Sequence, residues 1–423
     1  MPRLAAVDAQ TYWMSAKIPN DQFVLFAFDG AVRIDGALLD GLRTRAQDCV
    51  DLRLRIADPR RRRYPDWVTG PVDPAQFVVH PAAGLTWTEC LDAVAQLAAA
   101  QLDPRVAAWR LHLFEGVTAP RAAGPATVAV LQIAHALADG TRTAELAGWL
   151  FGRPDQAPAL PPWRSRGILR GAVTAARAER ELTGDIEAGR IPAPPPSRPA
   201  LLTNATPAGP RRLRTVVVDR ASLRGRSTVT VEALLAVGTA LAGHLRDRGE
   251  NTDQLGAEVP LAKPGIRYAR NHFRNVGVGL YPAEPDDVRA ARILADLRGG
   301  RQRAEHPAAS AAADATAAVP AALLRWGVSK FDETVRSPLV TGNTVVSSVN
   351  RGPADLRLGA APVLLTASYP ALSPMMGLTH GVHGLGDTVA ISVHAADSVL
   401  SEAQLDDYLA RLRRALGAAS SPR

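Results

Sequence analysis

The residues most able to do chemistry are His135-Ala136-Leu137-Ala138-Asp139-Gly140. A histidine has an ordinary pKa of about 6.5, so it can take a proton near neutrality. Moving an acyl group from a thioester to a hydroxyl or amine needs such a base. The thioester is already activated, so no covalent intermediate is required. The chain has no Gly-x-Ser-x-Gly elbow that would suggest one.

Asp139 has two readings. It could orient the histidine, as in a triad. It could instead turn away and pair with an arginine, fixing the loop; this is favoured, because a buried carboxylate needs a partner. Gly140 is expected to allow a tight or positive-φ turn. By themselves the six residues also suit a core histidine followed by a helix-capping aspartate.

The elements around them must position the base. Residues 127–133 form a nearly continuous apolar run, as expected of a strand covered on both faces. After Gly140, Leu146, Trp149 and Leu150 mark a helix. Further strands are predicted at 22–28, 109–114, 213–218, 275–280, 343–348, 363–368, 376–383 and 388–394. Further helices are predicted at 8–15, 36–50, 88–102, up to about 187, and at 228–247, 286–303 and 402–416. Residues 308–318 are Ala-rich and read as a soft helix or a loop. The Pro-rich stretch 191–210 reads as an extended crossover. The fold class is therefore α/β, as two similar sandwiches side by side: lobe 1–187, linker 188–212 and lobe 213–423.

With 423 residues, 47% of them hydrophobic, the chain can build a sizeable core. Its formal charge is 49 − 41 = +8, almost all from arginine, since Lys17, Lys263 and Lys330 are the only lysines. These arginines are scattered, with one tight run at Arg60–Arg63, so no nucleic-acid partner is expected. Cys49 and Cys90 read as buried free thiols. His380 and His383 lack companions at metal spacing, so no metal is expected, and they could line a binding site. His112 reads as structural. Trp109, Trp149 and Trp326 read as packing residues. The N-terminus does not read as a signal peptide and no membrane span is expected, which suits a cytoplasmic protein, at most peripheral on a membrane or lipid surface.

Longer stretches carry a resemblance. Leu4-Ala5-Ala6-Val7-Asp8-Ala9 looks like a Leu-Ser-x-x-Asp-Ala opening, and Phe28-Asp29-Gly30, Trp67, Phe77 and His80 follow. Leu102-Asp103 precedes Trp109, and Glu115-Gly116 precedes the buried strand. Asn271–Pro282, Ser347–Pro353 and Tyr369–Asp397 continue the pattern through the second half. Together these resemble the bacterial wax ester synthase/diacylglycerol acyltransferase family, within the CoA-dependent acyltransferase superfamily that also holds chloramphenicol acetyltransferase and condensation domains.

The resemblance implies two chloramphenicol-acetyltransferase-like lobes forming a pseudo-dimer with a central tunnel, and His135 as catalytic base in mid-tunnel. Asp139 and Gly140 would be structural. Thr230, Ser347 and Ser348 would contact the oxyanion or substrate. No cofactor is implied; acyl-CoA or a phosphopantetheine thioester on an acyl carrier protein is a substrate, and the acceptor is a small molecule. The sequence departs from the family at Ala134, where a first histidine is usual. Thr230 and Val231 stand for Asn-Asp, and Ser347-Ser348 for Ser-Asn. These changes point away from long-chain alcohols or diacylglycerol and toward a specialised metabolite. The alternative is a non-catalytic acyl- or lipid-binding relative. Replacing His135 by Ala is expected to abolish product formation with the fold intact; near-normal turnover in that variant would refute the assigned role.

Overall fold

A computed structural model describes all residues except 1, 61, 162–166, 224–226 and 418–423; Arg61 of the arginine run thus lies outside the described residues. The first half runs α1 (Ala6–Ser15), β1 (Gln22–Phe28), α2 (Gly36–Asp48), β2 (Leu54–Ala57), β3 (Asp66–Thr69), β4 (Phe77–His80) and α3 (Trp87–Leu97). It continues with β5 (Trp109–Val117), β6 (Ala126–Ile133), α4 (Gly140–Leu150) and α5 (Ile168–Glu187). The second half opens with β7 (Arg198–Pro199), β8 (Arg211–Asp219), α6 (Val229–Arg246), β9 (Gly256–Ala262), β10 (Phe273–Gly279) and α7 (Asp286–Glu305). Then come α8 (Pro307–Ala317), α9 (Ala321–Ser329), β11 (Leu339–Val340), β12 (Thr344–Asn350) and β13 (Arg357–Leu358). It ends with β14 (Ala361–Ser368), β15 (Leu378–Leu385), β16 (Thr388–Ala396) and α10 (Glu402–Ala415).

Two six-stranded mixed sheets carry the molecule, in the orders β13-β14-β1-β6-β5-β4 and β10-β9-β12-β15-β16-β8. β6 is buried at every residue because it is central in its sheet and covered on both faces. α6 packs in the core of the second sheet. It is apolar and long enough to cross a membrane, but most of it is buried against the second core. The end of α6 is packed by α10, whose Tyr408 and Leu412 are fully enclosed.

Sequence order and sheet membership diverge at one place. β13 and β14 lie in the second half of the chain, yet they complete the first sheet, with Val24 opposite Ser368 and Phe26 opposite Thr366. The division at 188–212 therefore does not follow the sheets. At the end of β14 the Ser368 carbonyl accepts a hydrogen bond from Ser392 Oγ at 2.5 Å, and Ser368 N donates to His383 Nδ1 at 3.2 Å. A Cβ on Gly381 would lie 2.2 Å from that carbonyl, so β14 can seat against β15 only where glycine leaves the space.

Several readings need correction. β9 was not anticipated because Pro260 interrupts its pattern. The proline is tolerated because β9 pairs with β12 only at Ala257 and Glu258; Pro260 lies beyond that stretch and pairs with Asn275 alone. Residues 308–318 form most of a regular helix, α8, packed on α5. The Pro-rich crossover is extended but anchored: Thr203 Oγ1 donates to Asn343 O at 2.6 Å and Asn204 Nδ2 to Met375 O at 3.0 Å. Trp326 is exposed on α9, not packed.

Replacing Gly381 by Ala is expected to cost at least about 1–3 kcal/mol, the usual penalty for overpacking a tight site. Denaturant unfolding measures it, and an unchanged midpoint would contradict the close approach of β14 and β15.

Candidate functional site

His135 follows β6 directly, in a turn that leads into α4. Its carbonyl accepts a hydrogen bond from Asn271 Nδ2 at 2.8 Å, and its ring stacks on Phe273 with centroids 5.7 Å apart. Its Nδ1 is buried without a hydrogen-bond partner. Burial pushes the imidazole below its ordinary pKa, with its own carbonyl, the charge of Asp139 and Asn271 acting the other way. The ring is therefore neutral, and basic, at neutral pH.

Asp139 makes no hydrogen bond to His135. It caps α4, with Oδ1 accepting from Arg142 N at 3.0 Å. Its other oxygen accepts from Arg267 Nη1 and from His272 N, both at 2.9 Å. Gly140 is the first helical residue and has no positive φ, so the expected turn is not its purpose. A Cβ there would press to 3.3 Å from Val349 Cγ2, and the Gly140 carbonyl accepts from Arg351 Nη1 at 3.3 Å. A side chain at this position would make Val349 give by a few tenths of an ångström.

Two other carboxylates bind the same segment of the second half. Asp8 is buried and accepts from Arg270 N, Asn271 N and Asn271 Nδ2 at 2.9–3.0 Å. Asp51 accepts two bonds of 2.8 Å from Arg270 and one of 2.6 Å from Arg142 Nε. Burial alone would raise Asp51, but the Arg270 and Arg142 guanidiniums outweigh it and hold the carboxyl below its ordinary pKa. Arg270 also lies over the Trp67 ring, 4.8 Å from its centroid.

His135 lines a cavity of about 700 Å³ between the two sheets. Asp139 and Gly140 line it from the first half, and Ser347 and Ser348 from β12. Thr230 is not on this wall; it stands behind it, with Oγ1 2.8 Å from Ser348 Oγ. His383 faces the cavity, whereas His380 is buried between Thr344 Oγ1 and Tyr408 Oη at 2.8 and 2.7 Å. His112 is enclosed by Gln132 and His80. A second cavity of about 630 Å³ adjoins the first, and both are bounded by Tyr369 and Ala371. Sequence reasoning did not single out Arg351, Glu145 or Glu258, all of which line the first cavity. No periodicity or motif marks them, because their significance lies in what they face. Among the described residues no group of three or more His, Cys, Asp or Glu is placed to hold a metal ion.

No protein-family model matches the sequence, and no curated protein sequence matches it. Solved structures do. A wax ester synthase/diacylglycerol acyltransferase from Marinobacter aquaeolei VT8 aligns at TM-score 0.63 and 19% identity, covering 98% of this chain and 100% of that one. The first condensation domain of the calcium-dependent antibiotic synthetase aligns at TM-score 0.62 and 16% identity, covering 98% and 95%. The starter condensation domain of rhizomide synthetase, solved with C8-CoA and Leu-SNAC, aligns at 0.58 and 14%, covering 99% and 94%. The chain thus has the two-lobed, chloramphenicol-acetyltransferase-like α/β fold shared by these acyltransferase and condensation structures.

Replacing Asp51 by Ala leaves Arg142 and Arg270 buried without their counter-charge, at an expected cost of about 3–5 kcal/mol. Because the folded-state pKa of Asp51 is depressed, its contribution is full above the ordinary carboxylate pKa of about 4 and is lost as pH falls through the depressed value. Unfolding of wild type and Asp51→Asn across pH 2–7 checks this; a stability gap that widens on acidification would contradict it.

Proposed function

We propose that this chain is an acyltransferase that moves an acyl group from acyl-CoA, or from a carrier-protein thioester, to the hydroxyl or amine of a small-molecule acceptor. The observation that carries the reading is His135 on the wall of the inter-sheet cavity, neutral at neutral pH and with Nδ1 unbonded.

In this reading His135 takes the proton of the acceptor as its oxygen or nitrogen attacks the thioester carbonyl. The carbonyl oxygen becomes an oxyanion and needs hydrogen-bond donors. Ser347 on β12 supplies a hydroxyl to the cavity wall, whereas its strand neighbour Ser348 turns its hydroxyl to Thr230 Oγ1, 2.8 Å away behind the wall. Collapse of the tetrahedral species breaks the C–S bond, and the imidazolium returns its proton to the leaving thiolate. The acceptor is left acylated and a free thiol is released. Asp139, committed to Arg267 and the start of α4, holds the loop and leaves proton transfer to His135.

The cysteines favour direct transfer. Both are buried, and burial pushes the Cys90 thiol up to about 12 and raises Cys49 too, so neither is a ready nucleophile. The solved condensation domain bound to C8-CoA supports a thioester donor for this fold. The departures at Thr230 and Val231 support an acceptor other than a long-chain alcohol.

Initial rates with a panel of acyl-CoAs and alcohol or amine acceptors, followed by mass spectrometry over pH 4–9, test the proposal. Protonation of His135 removes the base, and its pKa is depressed. The acid limb of kcat/KM is therefore expected below pH 6.5, with a tenfold loss per unit beneath it. An acid limb above pH 6.5 would remove His135 from the role. Acyl-CoA binding without turnover in any pairing would favour a non-catalytic acyl-binding protein.

A further inference from the structure

We propose that Arg351 is the seat of a carboxylate carried by one of the two substrates that meet in the cavity. The inference rests on the acyl-transfer reading for which substrates are present, but not for the charge itself.

Arg351 follows β12 directly and lines the cavity while remaining only 3% exposed. Its Nη1 reaches the Gly140 carbonyl at 3.3 Å, and its Nε is buried with no partner. Among the described residues no carboxylate forms an ion pair with it. Burial brings its pKa down to about 9, which still leaves it charged at neutral pH. A buried charge with one long hydrogen bond to a carbonyl is costly unless a counter-ion arrives.

The surroundings set the size of that counter-ion. His383 shares the wall, and burial, with the field of Arg351, drives it well below its ordinary pKa, so it adds no second positive charge. Arg153, also on the wall, is already paired with Asp355 at 2.9 Å. The wall carboxylates Glu145 and Glu258 do not pair with Arg351: burial raises the pKa of both, Glu258 is hydrogen-bonded to Asn275, and Asp139 is taken by Arg267. Arg351 is thus a guanidinium on this wall with no carboxylate partner among the described residues. A carboxylate neutralises this guanidinium and matches its planar fork. Gly140 and Thr141, at the N-terminal end of α4, line the same cavity and reinforce the preference for an anion.

The test is binding, measured by isothermal titration without turnover. The donor arm compares succinyl-CoA with butyryl-CoA; the acceptor arm compares 3-hydroxydecanoate with its methyl ester. In at least one arm the acid is expected to bind tenfold or more tightly than its neutral counterpart, as hydrogen bonds to a charged group warrant. The discriminating arm identifies which substrate carries the carboxylate. Arg351→Met should erase the discrimination, Arg351→Lys should keep part of it, and Arg351→Met should melt at or above the wild-type Tm. Should Arg351→Met not fold, Arg351→Gln carries the same comparison. No discrimination in either arm, or discrimination that survives loss of the guanidinium, would overturn the proposal. Turnover of neutral substrates with no acid preference would remove the carboxylate seat and leave acyl transfer standing; acid preference without any turnover would do the reverse.

Discussion

Three buried carboxylates of the first half, Asp8, Asp51 and Asp139, are all satisfied by residues 267–272 in the loop between β9 and β10. A buried carboxylate without partners is expensive, so each of them demands that this loop be in place. Arg270 and Asn271 answer Asp8 through their backbone N–H groups, Arg270 answers Asp51 through its guanidinium, and Arg267 with His272 N answers Asp139. The same loop then grips His135, because Asn271 Nδ2 bonds to the His135 carbonyl. Lobe association and placement of the imidazole are thus one event.

Buried charges on the 267–272 loop join the halves beside His135, pairs such as Asp92–Arg214 and Asp58–Arg325 join them elsewhere, and β14 adds backbone pairing to the first sheet from the second half of the chain. The cavity lies between the sheets, with Ser347 of β12 and His135 of the turn after β6 both on its wall. Charges that do structural work in this region are paired. Arg351 is held by one long bond to a carbonyl, which is what makes its place on the wall informative about a ligand.

Much of this was legible in the sequence. Continuous apolar runs gave the central strands, and helical spacing gave α4, α6 and α10, because local pattern and burial agree there. The His135 turn was legible because its residue types stand at a strand-to-helix junction. What could not be read depends on long-range geometry. The migration of β14 into the first sheet leaves no mark on its own eight residues. Pro260 hid β9, since nothing local shows that β12 parts from it at that point. Gly140 looked like a turn glycine but has no positive φ, and Val349 approaches it across the seam. Arg267 could not be told from the other arginines as the partner of Asp139, and Arg351 is distinguished only by a missing partner.

The central claim is that His135 stands where an acceptor and an activated carbonyl meet. A crystal structure of the protein with a non-hydrolysable acyl-CoA analogue and an acceptor tests it most directly. The thioester carbonyl is expected in the inter-sheet cavity, with the acceptor oxygen or nitrogen about 2.6–3.2 Å from the imidazole of His135. Ligands bound elsewhere, or an acyl group attached to a side chain of the protein, would contradict it.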